Sequence, residues 1–228
     1  MSAQAPDVPT YAIDERTTDM TSTDTMTSID SITLDVSDPA AAETFYAAAF
    51  GLGSDVVSLR PTNNVSSGFR AYTLSLVVAQ PAGVDELIGS ALEAGASTLK
   101  PVKKSLWGYG GVVRSPDGSI WKVATSSKKN KGPATRQIDD IVLLLGVADM
   151  AESKRFYVER GLPVARSFGR KYAEFSAPPG HVKLALYGRA ALAKDAGVSP
   201  EGDGPHHVAI RSTAGSFTDP DGFAWEHA

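Results

Sequence analysis

Cysteine is absent from the 228 residues, which removes disulfides, thiolate metal ligands and thiol nucleophiles at once. A chain that does without disulfides fits a reducing compartment, so a cytoplasmic location is expected. Long apolar runs are lacking too. Leu74–Ala79 and Ile141–Leu145 fall far short of the roughly 18 residues that a membrane span needs, so no membrane role is expected. The first residues show no basic region followed by an apolar core, so no secretory signal is expected. Basic residues are not in excess: 22 Lys and Arg face 26 Asp and Glu, a formal net charge of −4 that argues against nucleic acid as a partner. No glycine-rich phosphate loop and no serine nucleophile elbow can be found. What is present is an ordinary globular composition, 42% hydrophobic and 21% charged residues.

Residues 1–28 are rich in Thr, Asp and Ser and offer too little apolar surface to offset the entropy of ordering, so they read as a disordered tail. Met1, Met20 and Met26 are all candidate starts. Patterned sequence begins with Ile29-Asp30-Ser31-Ile32-Thr33-Leu34, whose alternation predicts a half-buried strand. Asp38 followed by Pro39 is a helix start, and Gly51 and Gly53 close that helix. Strands at 55–60 and 69–79, a helix over 83–95 and strands at 97–102, 107–114 and 120–125 complete a first unit spanning 29–126. Residues 127–136, with Lys128-Lys129-Asn130-Lys131-Gly132-Pro133, are a linker by composition, and the basic stretch reads as solvated. A second unit, 137–228, opens with Ile138-Asp139-Asp140-Ile141 and carries a helix at 151–160, strands at 164–168, 171–176 and 181–187, a short helix at 189–196 and a strand at 206–212.

Two stretches tie the units together. Asp219-Pro220-Asp221-Gly222 is turn chemistry, and Phe223-Ala224-Trp225-Glu226 reads as a strand with Glu226 on the face opposite Trp225. Ser115-Pro116-Asp117-Gly118-Ser119-Ile120-Trp121-Lys122 is the same motif, tryptophan for tryptophan, with Lys122 where Glu226 stands. Phe45-Tyr46 before Gly51-Leu52 likewise matches Phe156-Tyr157 before Gly161-Leu162. The second copy is shorter: only Thr213–Ser216 separates its last two strands, where the first copy has a helix and two strands. Glu226 could ligate a metal or abstract a proton, or it could be a solvated edge residue.

Taken in order, these motifs resemble the vicinal oxygen chelate superfamily, which includes glyoxalase I, bleomycin and fosfomycin resistance proteins and extradiol dioxygenases. The resemblance covers about Ile29 to Ala228. It implies an α+β fold of duplicated βαβββ units, some truncated here, whose curved mixed sheets form an open cleft. It also implies where a divalent metal would sit. The matching positions of the second unit are Asp140, His207 and Glu226, with Glu226 as ligand or catalytic base. Those of the first unit are Ser31, Thr73 and Lys122, two hydroxyls and an ammonium that repels a cation, so no metal is expected there. The identity of a metal in the second unit stays open. Trp107 and Tyr109, beside glycines, are candidates to stack on a flat ligand, or else to pack in the core, and Arg211 to meet an anion, or else solvent.

Three functions follow from the resemblance. One is a metal-dependent lyase, isomerase or dioxygenase that chelates two neighbouring substrate oxygens. Another is a metal-free binding protein that sequesters an antibiotic or aromatic metabolite. The third is a degenerate scaffold acting through dimerisation; a homodimer is compatible with all three.

Overall fold

The computed structural model describes residues 26–106 and 108–228; the tail up to residue 25 and the candidate Trp107 lie outside the described residues. In chain order the elements are β1 (Ile29–Val36), α1 (Pro39–Phe50), β2 (Val57–Pro61), β3 (Ser67–Gly68), β4 (Tyr72–Val77), α2 (Pro81–Glu93), β5 (Ser97–Ser105), β6 (Gly108–Arg114) and β7 (Ile120–Thr125). They continue with β8 (Asp140–Val147), α3 (Met150–Val158), β9 (Val164–Ser167), β10 (Tyr172–Phe175), β11 (Lys183–Gly188), α4 (Arg189–Ala196), β12 (Gly202–Asp203), β13 (Val208–Ser212), β14 (Phe217–Thr218) and β15 (Ala224–His227). The fold is α+β with mixed sheets.

Helices start and stop where side-chain chemistry dictates. Asp38 accepts from Ala41 N, Pro39 occupies the first turn and Gly51 ends α1 at φ 68°. Asp149 caps α3 in the same way through Ala151 N and Glu152 N. Thr27 and Ser28, which composition assigns to the tail, are instead buried. Thr27 donates its backbone N–H to the Gly161 carbonyl and its hydroxyl to the Arg160 carbonyl, and Ser28 N donates to Thr213 Oγ1. The basic linker is pinned as well: Gln80 bonds Lys131 N and the carbonyls of Gly132 and Pro133, and Asn130 bonds Ala82 N at the start of α2.

An eight-stranded sheet runs β5-β6-β7-β4-β8-β11-β10-β9. It joins two complete βαβββ sets across the antiparallel β4–β8 pair, with Thr73 opposite Leu144. A five-stranded sheet runs β14-β15-β13-β1-β2, and its β1–β13 pair again joins early and late chain, with Ile32 opposite Ile210. Here the sets are reduced: β1-α1-β2 lacks a hairpin, and β13-β14-β15 lacks a helix. Each sheet therefore draws strands from both halves of the chain.

The main core lies between the sheets and helices α1, α2 and α3, and buries Trp121 and Trp225. Phe50 and Tyr46 pack on Trp121, while Tyr157 and Phe217 pack on Trp225. Helix α1 is alanine-rich because it packs closely on α2. Among the described residues no helix packs extensively on α3, since the set that would supply one is truncated, and its outer face is accordingly charged with Glu152, Lys154 and Arg155. Arg160 covers the aromatic edge left open there, its guanidinium 3.4 Å from the Phe156 ring centre and 4.8 Å from that of Phe217. A second core lies on the opposite face of the eight-stranded sheet, under α4. No helix among the described residues is long and apolar enough to cross a membrane.

Candidate functional site

The two Pro-Asp-Gly turns occupy equivalent places, and the structure gives each the same work. Tyr46 Oη donates to Asp117 and Tyr157 Oη to Asp219, tying a helix to a turn in each case. Burial, then the neighbouring carboxylate, pushes both phenols well above their ordinary pKa. Burial also raises the Asp219 carboxyl, although Tyr157 and the N–H groups of Asp221 and Phe223 donate to it.

The equivalence extends to the two chain segments entering β4 and β13. Arg70 Nη2 donates to Asp117 O at 2.9 Å, and His206 Nε2 lies 3.1 Å from Asp221 O, the matching carbonyl of the other turn. Ala71 and His207 follow, the two described non-glycine residues with positive φ, at 61° and 57°. Ala71 O accepts from Gly146 N, and His207 O from Asp35 N. Sequence order pairs His207 with Thr73; the backbone pairs it with Ala71. The His206 ring stacks on Phe223 at 4.0 Å, and His207 is buried with its Nδ1 unpartnered among the described residues. Burial first, then Arg70, lowers the pKa of His207, against a smaller opposing pull from Asp35. His206 thus braces the junction with its ring and His207 supplies the positive-φ backbone, roles that side-chain alternation could not reveal.

The expected metal ligands are not brought together. Asp140 belongs to the eight-stranded sheet, where Lys183 Nζ holds it at 2.7 Å. Glu226, in the five-stranded sheet on the face away from Trp225, accepts from Arg60 Nη1 at 2.7 Å, and Arg60 Nε reaches Asp35 at 2.6 Å. These two carboxylates raise the arginine pKa, Asp35 more than Glu226. Arg60 stands on β2 and Glu226 on β15, with β13 and β1 between them, so their contact spans the curved face. No group of three or more His, Asp or Glu among the described residues is placed to hold an ion. The donors present do not fit a metal: each carboxylate is engaged by a cation, and the imidazole stands apart. Arg211 lies opposite Glu226 on β13, half-buried and without an ion pair to another described residue.

Tyr109 borders the cavity over β6 and β7, but its hydroxyl reaches the helix side of the sheet, where it donates to Asp85 of α2. The other face of the same strands forms the cleft. Trp121 and Val123 enter the main core, so Lys122 and Ala124 project away from it, as do Val112 and Gly110 of β6. Together with Val77 they floor an open cavity of about 320 Å³, walled by Lys100, Lys103 and Asp195. Helix α4 fills the rest of the concave face, burying Leu192, Ala193 and Ala196 against Ile120, Leu144 and Ala185. Its end is held by two lysines: Lys122 Nζ meets Asp195 Oδ2 at 2.7 Å, and Lys100 Nζ donates to the carbonyls of Lys194 and Asp195. The sequence marks Lys122 as the cation standing where its repeat has Glu226, but gives no sign of Lys100 or α4 beside it.

No protein-family model and no curated protein sequence matches the chain. Solved structures do. Glyoxalase I from Zea mays superposes with a TM-score of 0.59 at 16% identity, over 87% of this chain and 91% of that one. A putative dioxygenase from Bacillus subtilis superposes with a TM-score of 0.51 at 12% identity, over 82% and 70%. Paired βαβββ sets, repeated turns and these superpositions together show that the chain has the fold of the vicinal oxygen chelate superfamily.

Proposed function

We propose that the protein binds a small organic molecule in the open part of the eight-stranded cleft and does so without a metal. The observation that carries this reading is the cavity over β6 and β7: a floor of Val77, Val112, Ala124 and bare Gly110, within a rim of charged side chains. Apolar floors with few polar groups are what small-molecule sites are made of, and about 320 Å³ is at the lower end of their range. Gly110 keeps the floor open, and it has its own reason to be glycine: a Cβ there would stand 2.8 Å from Val123 O. The cleft has a cation, Lys122, at the position equivalent to Glu226, which favours binding over metal-assisted chemistry.

A thermal-shift screen of small organic fragments in the presence of EDTA tests this, run on wild type and on Ala124→Phe, which fills the floor. Fragments that stabilise wild type and lose that effect in Ala124→Phe support the reading. Stabilisation that requires added Mn²⁺, Ni²⁺ or Zn²⁺ and disappears in Glu226→Gln would replace it with the metal-dependent enzyme.

A further inference from the structure

We propose that the cleft takes a small organic anion, a monocarboxylate with an apolar body, and that Asp195 of α4 is its built-in competitor for Lys122. The inference rests on the cleft being the ligand site, and adds to it the charge of the ligand and the group that must give way.

Charge is distributed against the trend of the whole molecule. The chain carries a formal net charge of −4, yet the cavity wall presents three ammonium groups, Lys100, Lys103 and Lys122, against the single carboxylate of Asp195. A local positive field on an acidic protein draws anions and repels cations. Lys103 lies opposite Gly110 across the β5–β6 pair and makes no ion pair with another described residue. Lys122 has three N–H donors and one carboxylate partner, at 2.7 Å.

That partner comes from the plug helix and not from the sheet. Asp195 is the acidic group of α4 that reaches the cavity, and its side chain is 38% exposed, so it can turn into water without stranding a buried charge. A ligand carboxylate taking its place exchanges one ammonium–carboxylate contact for an equivalent one. The gain then comes from the apolar body of the ligand covering Val77, Val112 and Ala124. Lys100 stays on the carbonyls of Lys194 and Asp195 throughout, so α4 keeps its anchor while the side chain of Asp195 moves.

Calorimetric titration with benzoate and with its neutral counterpart benzamide separates the two layers of the argument. The proteins are wild type, Asp195→Asn and Lys122→Gln, each first shown to melt as wild type does. The expected result is benzoate binding about tenfold tighter to Asp195→Asn, at least tenfold weaker to Lys122→Gln, and benzamide binding equally to all three. Benzoate and benzamide binding alike to all three would overturn the anion site and leave the cleft as a neutral one. Benzoate lost in Lys122→Gln but unchanged in Asp195→Asn would overturn the competitor role. No heat from either probe with any of the three would overturn the inference together with the cleft reading beneath it.

Discussion

Tyr157 and Asp219 show how much a single hydroxyl does here. The carboxylate is buried and takes three donors: the phenol and two backbone N–H groups. Removing one by Tyr157→Phe leaves a buried carboxylate short of a partner, which should cost about 1–3 kcal/mol, read as a lower urea midpoint at unchanged slope. The surface pair Arg60–Glu226 is a contrast. Its side chains are 46% and 38% exposed, so Glu226→Gln should change stability by less than about 1 kcal/mol in the same assay. His207 supplies a pH dependence. Its folded pKa is lowered, so the unfolded chain binds the proton more readily and stability falls as pH drops below the ordinary histidine value. His207→Asn, a residue that tolerates φ 57°, should flatten the melting temperature between pH 7 and pH 5, whereas wild type should lose stability across that range. An equal slope in both would remove His207 as the source. Trp121, Trp225 and the two aspartate turns were legible in the sequence because turn residues and aromatic alternation are local signals. The junction at His206-His207 was not, because a positive φ in a non-glycine residue leaves no mark in a hydrophobic pattern.

At the scale of elements, α4 covers part of the sheet face and so bounds the cavity. Its sequence announces a short helix between β11 and β13, but nothing local says that it lies across the concave face of a sheet made largely from other segments. Leu192 is fully buried beneath it. Leu192→Ala should therefore cost about 2–5 kcal/mol by differential scanning calorimetry, as core truncations do. A cost under about 0.5 kcal/mol would mean that α4 rests on the sheet without contributing to its core. The missing helix of the last unit was legible from the short spacer Thr213–Ser216. Its consequence for α3, a helix with a charged outer face and an arginine laid over Phe156 and Phe217, follows only once the neighbours are in place.

At the scale of the whole molecule, the repeat was legible and the pairing of its parts was not. Reading the chain in order divides it into units 29–126 and 137–228, whereas β1 pairs with β13 and β4 with β8, so both sheets cross the midpoint. Such long-range pairing cannot be read from alternation, which fixes a strand's face and says nothing of its partner. Residues 29–126 and 137–228 expressed separately should each aggregate or stay partly unfolded, since each would expose the strand edges its other half covers. Recovery of a cooperative melt on mixing would support the interlocked sheets, and a monomeric, cooperatively melting 29–126 fragment would contradict them. The same crossing separates Asp140 from Glu226, and the site proposed in their stead is the lysine-rimmed cavity. Its location is tested most directly by amide chemical-shift mapping of ¹⁵N-labelled protein titrated with benzoate in EDTA. The account predicts shifts concentrated at 108–112 on β6, 122–125 on β7 and 194–197 at the end of α4. Shifts concentrated instead around Arg60, Arg211 and Glu226 of the five-stranded sheet would contradict it.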